Sequence, residues 1–357
     1  MIKPLLFGSL LVLQAPVVTP QRIVIDVSVV DKKGAPISGL TAADFTILED
    51  DKPVSIASVE HVAVAPDGNG AADKDGRIAV LFLDDATPAP TGEGKQAREI
   101  ANQFISALGP ADVAGVIFAT GGSGVQSLTT DRAALRAAVA RFEQRIGQWM
   151  TSSSETNGRL ARGGFDQFDQ GAVSLYRTML LSLRRLVDRL AVVENRRKAV
   201  VMISTGVPYT PPDPRKIAAD DPTGTADAVL EDLRAVIRAA QRAKVIIYTV
   251  DPGGLRLSTA TLDEVTSLTA EAPAPRVSAA GQANQAFLRS LSVGTGGFAT
   301  MNTNNTKAAA TEILRDLSGY YMVSFDADQR VERFHSIAVR VNRPGATVRV
   351  RPGYWPR

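Results

Sequence analysis

No cysteine occurs in the chain, and only two histidines do, His61 and His335. The first absence excludes disulfides, thiolate nucleophiles and zinc–thiolate sites together. The scarcity of histidine leaves few bases for nucleophilic catalysis. His61 and His335 both fall in strand-like alternating segments, where they read as polar members of a sheet face, so no Ser-His-Asp system assembles around them. The G-x-S-x-G elbow of the α/β hydrolases is missing. Gly121-Gly122-Ser123-Gly124 has neither dinucleotide nor P-loop spacing, no Gly-Lys-Ser/Thr follows it, and it reads as a tight connection between strands. One-sided charge is lacking too: 40 basic against 37 acidic residues leave a net charge of +3. There is no basic stripe interleaved with aromatics, so nucleic acid is not an expected partner. Arg184, Arg185, Arg196, Arg197 and Lys198 cluster at the border of an amphipathic helix and are read as a solvated helix face. An enzyme is not expected, and no catalytic residue is assigned.

No apolar run is long enough to span a bilayer. The one at the start, Leu5 to Val18 behind Lys3, is broken by Gly8, Ser9 and Pro16. It reads as a signal peptide over residues 1–20, which predicts export to the periplasm or medium, without stable membrane insertion after cleavage.

Two kinds of pattern fill the rest. Ile23, Ile25, Val27 and Val29 alternate with polar residues as in a half-buried strand. Phe45 to Ile47 and Val54 to Val64 continue in β fashion around the Asp50-Asp51 turn. At the other end, Tyr320 to Phe325, His335 to Val341 and Val348 to Val350 are again strand-like. Neither β segment buries its own apolar face, so residues 21–64 and 320–357 are expected to pair as one small β-sandwich. Residues 65–76, rich in Gly, Ala and Asp, read as a linker. Between them, residues 77–319 alternate short apolar runs with 3.6-period segments. Ile78 to Leu83, Ala199 to Ser204 and Val245 to Val250 are continuous runs, as in strands buried on both faces. Ile100, Phe104 and Leu108, then Leu175, Met179, Leu183, Leu186 and Leu190, repeat at helical spacing. The fold class is therefore α/β: a doubly wound, mostly parallel sheet inserted into a β-sandwich built from both chain ends.

At the end of the first buried run stands Asp84-Asp85-Ala86-Thr87-Pro88. Ligand sites of doubly wound sheets gather at that edge. Two carboxylates and a hydroxyl there are chemically suited to a hard cation such as magnesium, or to helix capping.

The chain resembles the von Willebrand factor type A domains, in particular the bacterial branch described as VWFA-related, over nearly the whole of the expected mature chain. The resemblance rests on a series of pieces in order. The first are Asp31-Lys32-Lys33-Gly34-Ala35-Pro36 with Gly39-Leu40-Thr41-Ala42-Ala43-Asp44-Phe45, Leu128-Thr129-Thr130-Asp131, and Arg197-Lys198-Ala199-Val200-Val201. Tyr248-Thr249-Val250-Asp251-Pro252, Thr295-Gly296-Gly297, Tyr320-Tyr321, Arg343-Pro344-Gly345 and Gly353-Tyr354 follow. The resemblance implies an α/β domain for protein–protein recognition with a metal-ion-dependent adhesion site, opened by Asp-x-Ser-x-Ser. Asp84 keeps the aspartate, whereas Ala86 and Pro88 replace the serines. The family threonine falls on Val173, and its later Asp-Gly falls on Thr205-Gly206. The site is therefore read as degenerate, with no cofactor expected. Asp85, Thr87, Ser174, Ser204 and Thr205 are the nearest polar replacements; any metal would sit on Asp84, Asp85 and Thr87.

The expected function is that of an exported, non-enzymatic binding or scaffold protein with an unidentified protein partner. The alternative is a magnesium-dependent adhesion module with a rearranged ligand set. Three long irregular segments, Gly147 to Gly171, Val207 to Gly224 and Pro252 to Asn284, are expected to surround Asp84 and Asp85. Trp149 and Tyr209 on them are the expected binding anchors, together with Asp84, Asp85, Thr87, Ser204 and Thr205.

Overall fold

The computed structural model describes residues 21–63, 76–90, 92–121, 125–144, 170–193, 197–209, 211, 228–255, 279–327 and 333–355. The expected leader and nearly all of the expected linker lie outside these residues. Among them, no helix is long and apolar enough to cross a membrane.

The alternating N-terminal segment forms β1 (Gln21–Val30), followed by β2 (Phe45–Glu49), β3 (Lys52–Val54) and β4 (Ile56–Ala63). Asp50 and Asp51 join β2 to β3 with φ of 48° and 63°. Two consecutive left-handed residues make the kind of two-residue turn that matches strand twist. The continuous apolar runs become β5 (Ile78–Leu83), β8 (Lys198–Ile203) and β9 (Val245–Val250), every residue of which is buried. β6 (Val113–Phe118), β7 (Gln126–Thr129) and β10 (Ala299–Thr300) complete their sheet. The helices between are α1 (Glu93–Ala107), α2 (Arg132–Ala140), α3 (Gln170–Ala191), α4 (Ala228–Ala243), α5 (Ala279–Gly294) and α6 (Thr306–Ser318). The chain ends in β11 (Gly319–Ala327), β12 (His335–Val341), β13 (Thr347–Val350) and β14 (Gly353–Tyr354).

The central sheet has the order β10-β9-β8-β5-β6-β7, parallel except for β7. Successive side chains of a strand point to opposite faces, and β5 divides accordingly. Ile78, Val80 and Phe82 pack with the apolar stripes of α3, α4 and α5. Ala79, Leu81 and Leu83 pack with those of α1, α2 and α6. The sheet is thus wound on both sides. The chain leaves β5 toward β6 and later returns to lay β8 on the other flank, so the switch point lies between β5 and β8.

Strands from the two chain ends do pair. β1 runs antiparallel to β11, in register from Gln21↔Ala327 to Val27↔Tyr321, with β4 and β13 on the outer sides. β12 pairs with β2 and β14 in a second four-stranded sheet. Both sheets feed one hydrophobic cluster, with Ile25 and Val27 from β1, Ile47 from β2, Val323 and Phe325 from β11, and Ile337 from β12. His61 lies on β4 and His335 on β12, in different sheets; His335 is buried with Nδ1 3.0 Å from Asp50.

The β module meets the α/β layer at the N-terminal edge of the parallel sheet. α6 runs directly into β11 there, and its Asp316 is fully buried. Asp316 accepts hydrogen bonds from Ser28 Oγ of β1 (2.6 Å), Tyr248 Oη of β9 (2.5 Å) and Arg349 Nη1 of β13 (3.0 Å). Burial, reinforced by the Asp316 charge, pushes the Tyr248 phenol far above its usual range. Arg77, ahead of β5, binds Asp112 through two nitrogens and the Leu314 carbonyl and Ser318 hydroxyl of α6 through the third.

The expectation of a solvated basic face is corrected here. Arg184 is exposed, but Arg197 and Lys198 are buried, at 8% and 6% exposure. Lys198 Nζ caps the end of α3 by donating to the Leu190 and Val193 carbonyls. The reason is positional: both residues enter a central strand, where long basic stems lie along apolar surface and only their heads seek polar partners.

Candidate functional site

Asp84 and Ser204 are the first residues beyond β5 and β8, side by side at the switch point. The Asp84 amide donates to the Ile203 carbonyl at 3.1 Å, prolonging the ladder by one step. Its carboxylate then turns back on its own chain. Oδ1 accepts from the amides of Ala86 (3.2 Å) and Thr87 (2.9 Å), and Oδ2 accepts from Ser204 Oγ at 2.6 Å. The Ser204 oxygen in turn accepts the Gly206 amide at 3.0 Å. Burial raises the Asp84 pKa above the ordinary carboxylate range; Ser204 and the Thr87 amide pull it partly back, and the Asp85 charge adds to the rise.

Asp85 points the other way. It accepts from the amide and hydroxyl of Thr120, just past β6, at 2.8 and 2.5 Å. The two carboxylates therefore diverge, and they do not form a pair sharing a proton. Thr87 is buried, with its carbonyl held by Gln144 Nε2 at 2.7 Å. The Thr87 hydroxyl makes no hydrogen bond of good geometry, yet it lies near enough to Asp84 to draw that carboxyl's pKa down. Thr205 is buried, and Gly206 follows it at φ +81°. A Cβ at Gly206 would stand 2.6 Å from the Asn284 carbonyl of α5, so glycine is required both by conformation and by close approach.

The donors do not suit a magnesium ion, which asks for octahedral oxygens. Both Asp84 oxygens are already engaged, Asp85 is turned toward Thr120, and Ala86, Pro88 and Val173 carry no side-chain oxygen. Ser174 is exposed, the fifth residue of α3. Among the described residues, no group of three His, Cys, Asp or Glu side chains is placed to hold a metal.

Tyr209 corrects a sequence expectation. It is 5% exposed and packs in the cluster of α3, α4 and α5, so it is not offered to solvent as an anchor. An aromatic in a proline-rich loop reads as exposed, but Val207 and Tyr209 follow the buried Gly206 turn inward. Trp149 lies outside the described residues, as does most of each irregular segment.

Sequence reasoning passed over two residues of this edge. Asp251, the first residue beyond β9, is buried and accepts the Gly253 amide at 2.8 Å. Asn284 is buried on α5, with an Oδ1 that finds no partner. The signal for Asp251 was available: like Asp84, it ends a continuous apolar run. Other landmark motifs prove to be punctuation. Asp31 accepts the Lys33 and Ala35 amides in a turn closed by Gly34 at φ +74°. Asp131 caps α2, and Thr295 Oγ1 accepts the Ile247 amide at 2.9 Å.

No family model matches the chain, and no curated protein does. Solved structures give distant likenesses. The conserved hypothetical protein BatB from Bacteroides thetaiotaomicron is 12% identical with a TM-score of 0.36, covering 68% of this chain and 98% of that one. The TFIIH p34 N-terminal domain is 11% identical with a TM-score of 0.29, covering 68% and 98%. The human COPII-coat protein Sec24c is 8% identical with a TM-score of 0.32, covering 83% of this chain and 46% of its own.

Proposed function

We propose that the chain is an exported, non-enzymatic binding protein of the VWFA-related kind, recognising a protein partner at the C-terminal rim of its parallel sheet without an obligatory metal. The observation that carries this reading is the closure of Asp84 on Ser204 and on its own backbone. A general base or nucleophile has to face an open position where a substrate atom can sit. Here the best-placed carboxylate and hydroxyl are buried and bonded to each other, so they brace the edge. Solvent meets the rim at Thr120, Leu255, Asn302 and Asn304, with Leu255 62% exposed. The ordered motifs support the family assignment, and the basic, apolar N-terminal segment supports export.

Immobilised full chain exposed to the native envelope fraction tests the reading. A partner should be retained in chelator and lost from Leu255→Asp and Thr120→Arg variants of unchanged melting temperature. Retention by both variants would remove this rim from consideration. A second reading, a magnesium-dependent adhesion module on Asp84, Asp85 and Thr87, is favoured by one observation, the buried Thr87 hydroxyl without a hydrogen bond of good geometry. Capture abolished by chelator and restored by magnesium would establish it instead.

A further inference from the structure

At the opposite edge of the sheet, one buried charge is incompletely answered. Where β1 and β13 lie against the starts of β8 and β9, a cavity of about 30 Å³ is lined by Asp26, Arg197, Gln241, Lys244, Arg349 and Arg351, among others. Four of these are cationic and one is a carboxylate. Arg349 is already spent on Asp316 and Glu312. Arg351 is fixed by donating to the Gln241 and Val24 carbonyls at 3.1 and 2.9 Å. Lys244 is exposed at the mouth.

Arg197 is the decisive residue. Its side chain is 4% exposed, and its guanidinium stacks 4.1 Å from the centroid of the Tyr320 ring, which holds it in one orientation. Nη2 lies 3.8 Å from Asp316, while Nε and Nη1 find no acceptor. Unanswered donors on a buried guanidinium are costly, and the planar fork is pre-organised for oxyanions. A space of that size admits about two oxygen atoms, enough for the edge of a phosphate or carboxylate whose remainder projects past Lys244. Gln241 Oε1 also lacks a partner and offers one acceptor to a protonated oxygen.

We propose that this cleft between the β module and the parallel sheet is an oxyanion site, taking a phosphate or carboxylate group on Arg197 with Lys244 drawing it in. It lies a strand's length, about 20 Å, from the Asp84 edge and does not depend on what that edge binds.

The test is thermal denaturation and calorimetric titration of the full chain with sodium phosphate, sodium acetate or sodium chloride at matched ionic strength. Phosphate or acetate should raise the melting temperature saturably above chloride, and the stronger of the two names the source. Lys244→Glu should weaken that binding by about threefold or more, and Asp26→Asn should tighten it. Lys307→Glu, in a separate basic groove with Lys32, Lys33 and Arg315, should leave it unchanged. These surface variants decide the matter even if Arg197→Gln fails to fold. Equal behaviour of all three anions would mean that the cleft holds water only. Binding indifferent to Lys244→Glu, or equally weakened by Lys307→Glu, would mean an adventitious ion only; either result overturns the proposal.

Discussion

Ser28 and Asp316 are 288 residues apart in the chain, and the serine hydroxyl donates to the buried carboxylate at 2.6 Å. Because Asp316 also receives Tyr248 and Arg349, one side chain ties the first strand, the last helix, a central strand and the C-terminal β segment together. Removing a carboxylate so placed leaves the buried Arg197 without its counter-charge and Arg349 with Glu312 alone.

Asp316→Ala should therefore cost about 3–5 kcal/mol in urea unfolding. Ser28→Ala, which deletes one hydrogen bond, should cost about 1 kcal/mol. Near-equal losses would show that the charge contributes little beyond the serine contact.

Asp84 should make stability depend on pH. Its folded-state pKa is raised, mainly by burial, so the folded protein holds this proton more tightly than the unfolded chain. The associated stability is fully present below the unfolded carboxylate pKa and is lost as pH rises through the raised folded value. Unfolding free energies of Asp84→Asn and wild type should hence diverge across that window in favour of the variant. Parallel curves from acid to neutral pH would refute the shift.

Magnesium should do little. To ligate it, Asp84 would have to release Ser204 or its backbone amides. Binding no tighter than millimolar adds about 0.4 kcal/mol when ligand equals Kd, a rise of about 1 °C for a domain of this size. A larger rise that disappears in Asp84→Ala would reinstate the metal.

Gly206 and Gly121 separate two costs of substitution. Both have positive φ, +81° and +72°, but only Gly206 faces a close backbone atom; nothing lies within 4 Å of a Cβ at Gly121. Gly121→Ala should cost about 1 kcal/mol. Gly206→Ala should cost clearly more, because the Asn284 carbonyl has to shift as well. Similar losses in chemical denaturation would place the whole effect in the dihedral.

Tyr209→Ala should destabilise by about 3 kcal/mol, since the ring is packed among α3, α4 and α5. An unchanged melting temperature would contradict that packing.

How much of this was legible follows from what periodicity reports. The continuous runs of β5, β8 and β9 announced two-sided burial, and the alternation of Ile23 to Val29 announced a half-buried strand needing a partner. Hydropathy carries no information about which polar groups meet. Asp85 finds Thr120 at 35 residues' separation, and Asp84 finds Ser204 at 120. Adjacent carboxylates therefore looked convergent in sequence while pointing to different strands. Arg197 looked solvated for the same reason: its place over Tyr320 is fixed by a strand that arrives far downstream.

The pairing of β1 with β11 also has a bearing on the order in which the chain acquires structure. Arg22 and Asp326, partners in that ladder, are separated by 304 residues. At a synthesis rate of about 5–20 residues per second, the second follows the first by about 15–60 s. Through that interval the apolar face of Ile23 to Val29 has no ladder to join, while the α/β layer between them can already form from contacts nearer in sequence. Among the described strands β1 thus emerges first and is among the last to be paired, and until then it is an open edge available to any other unpaired strand.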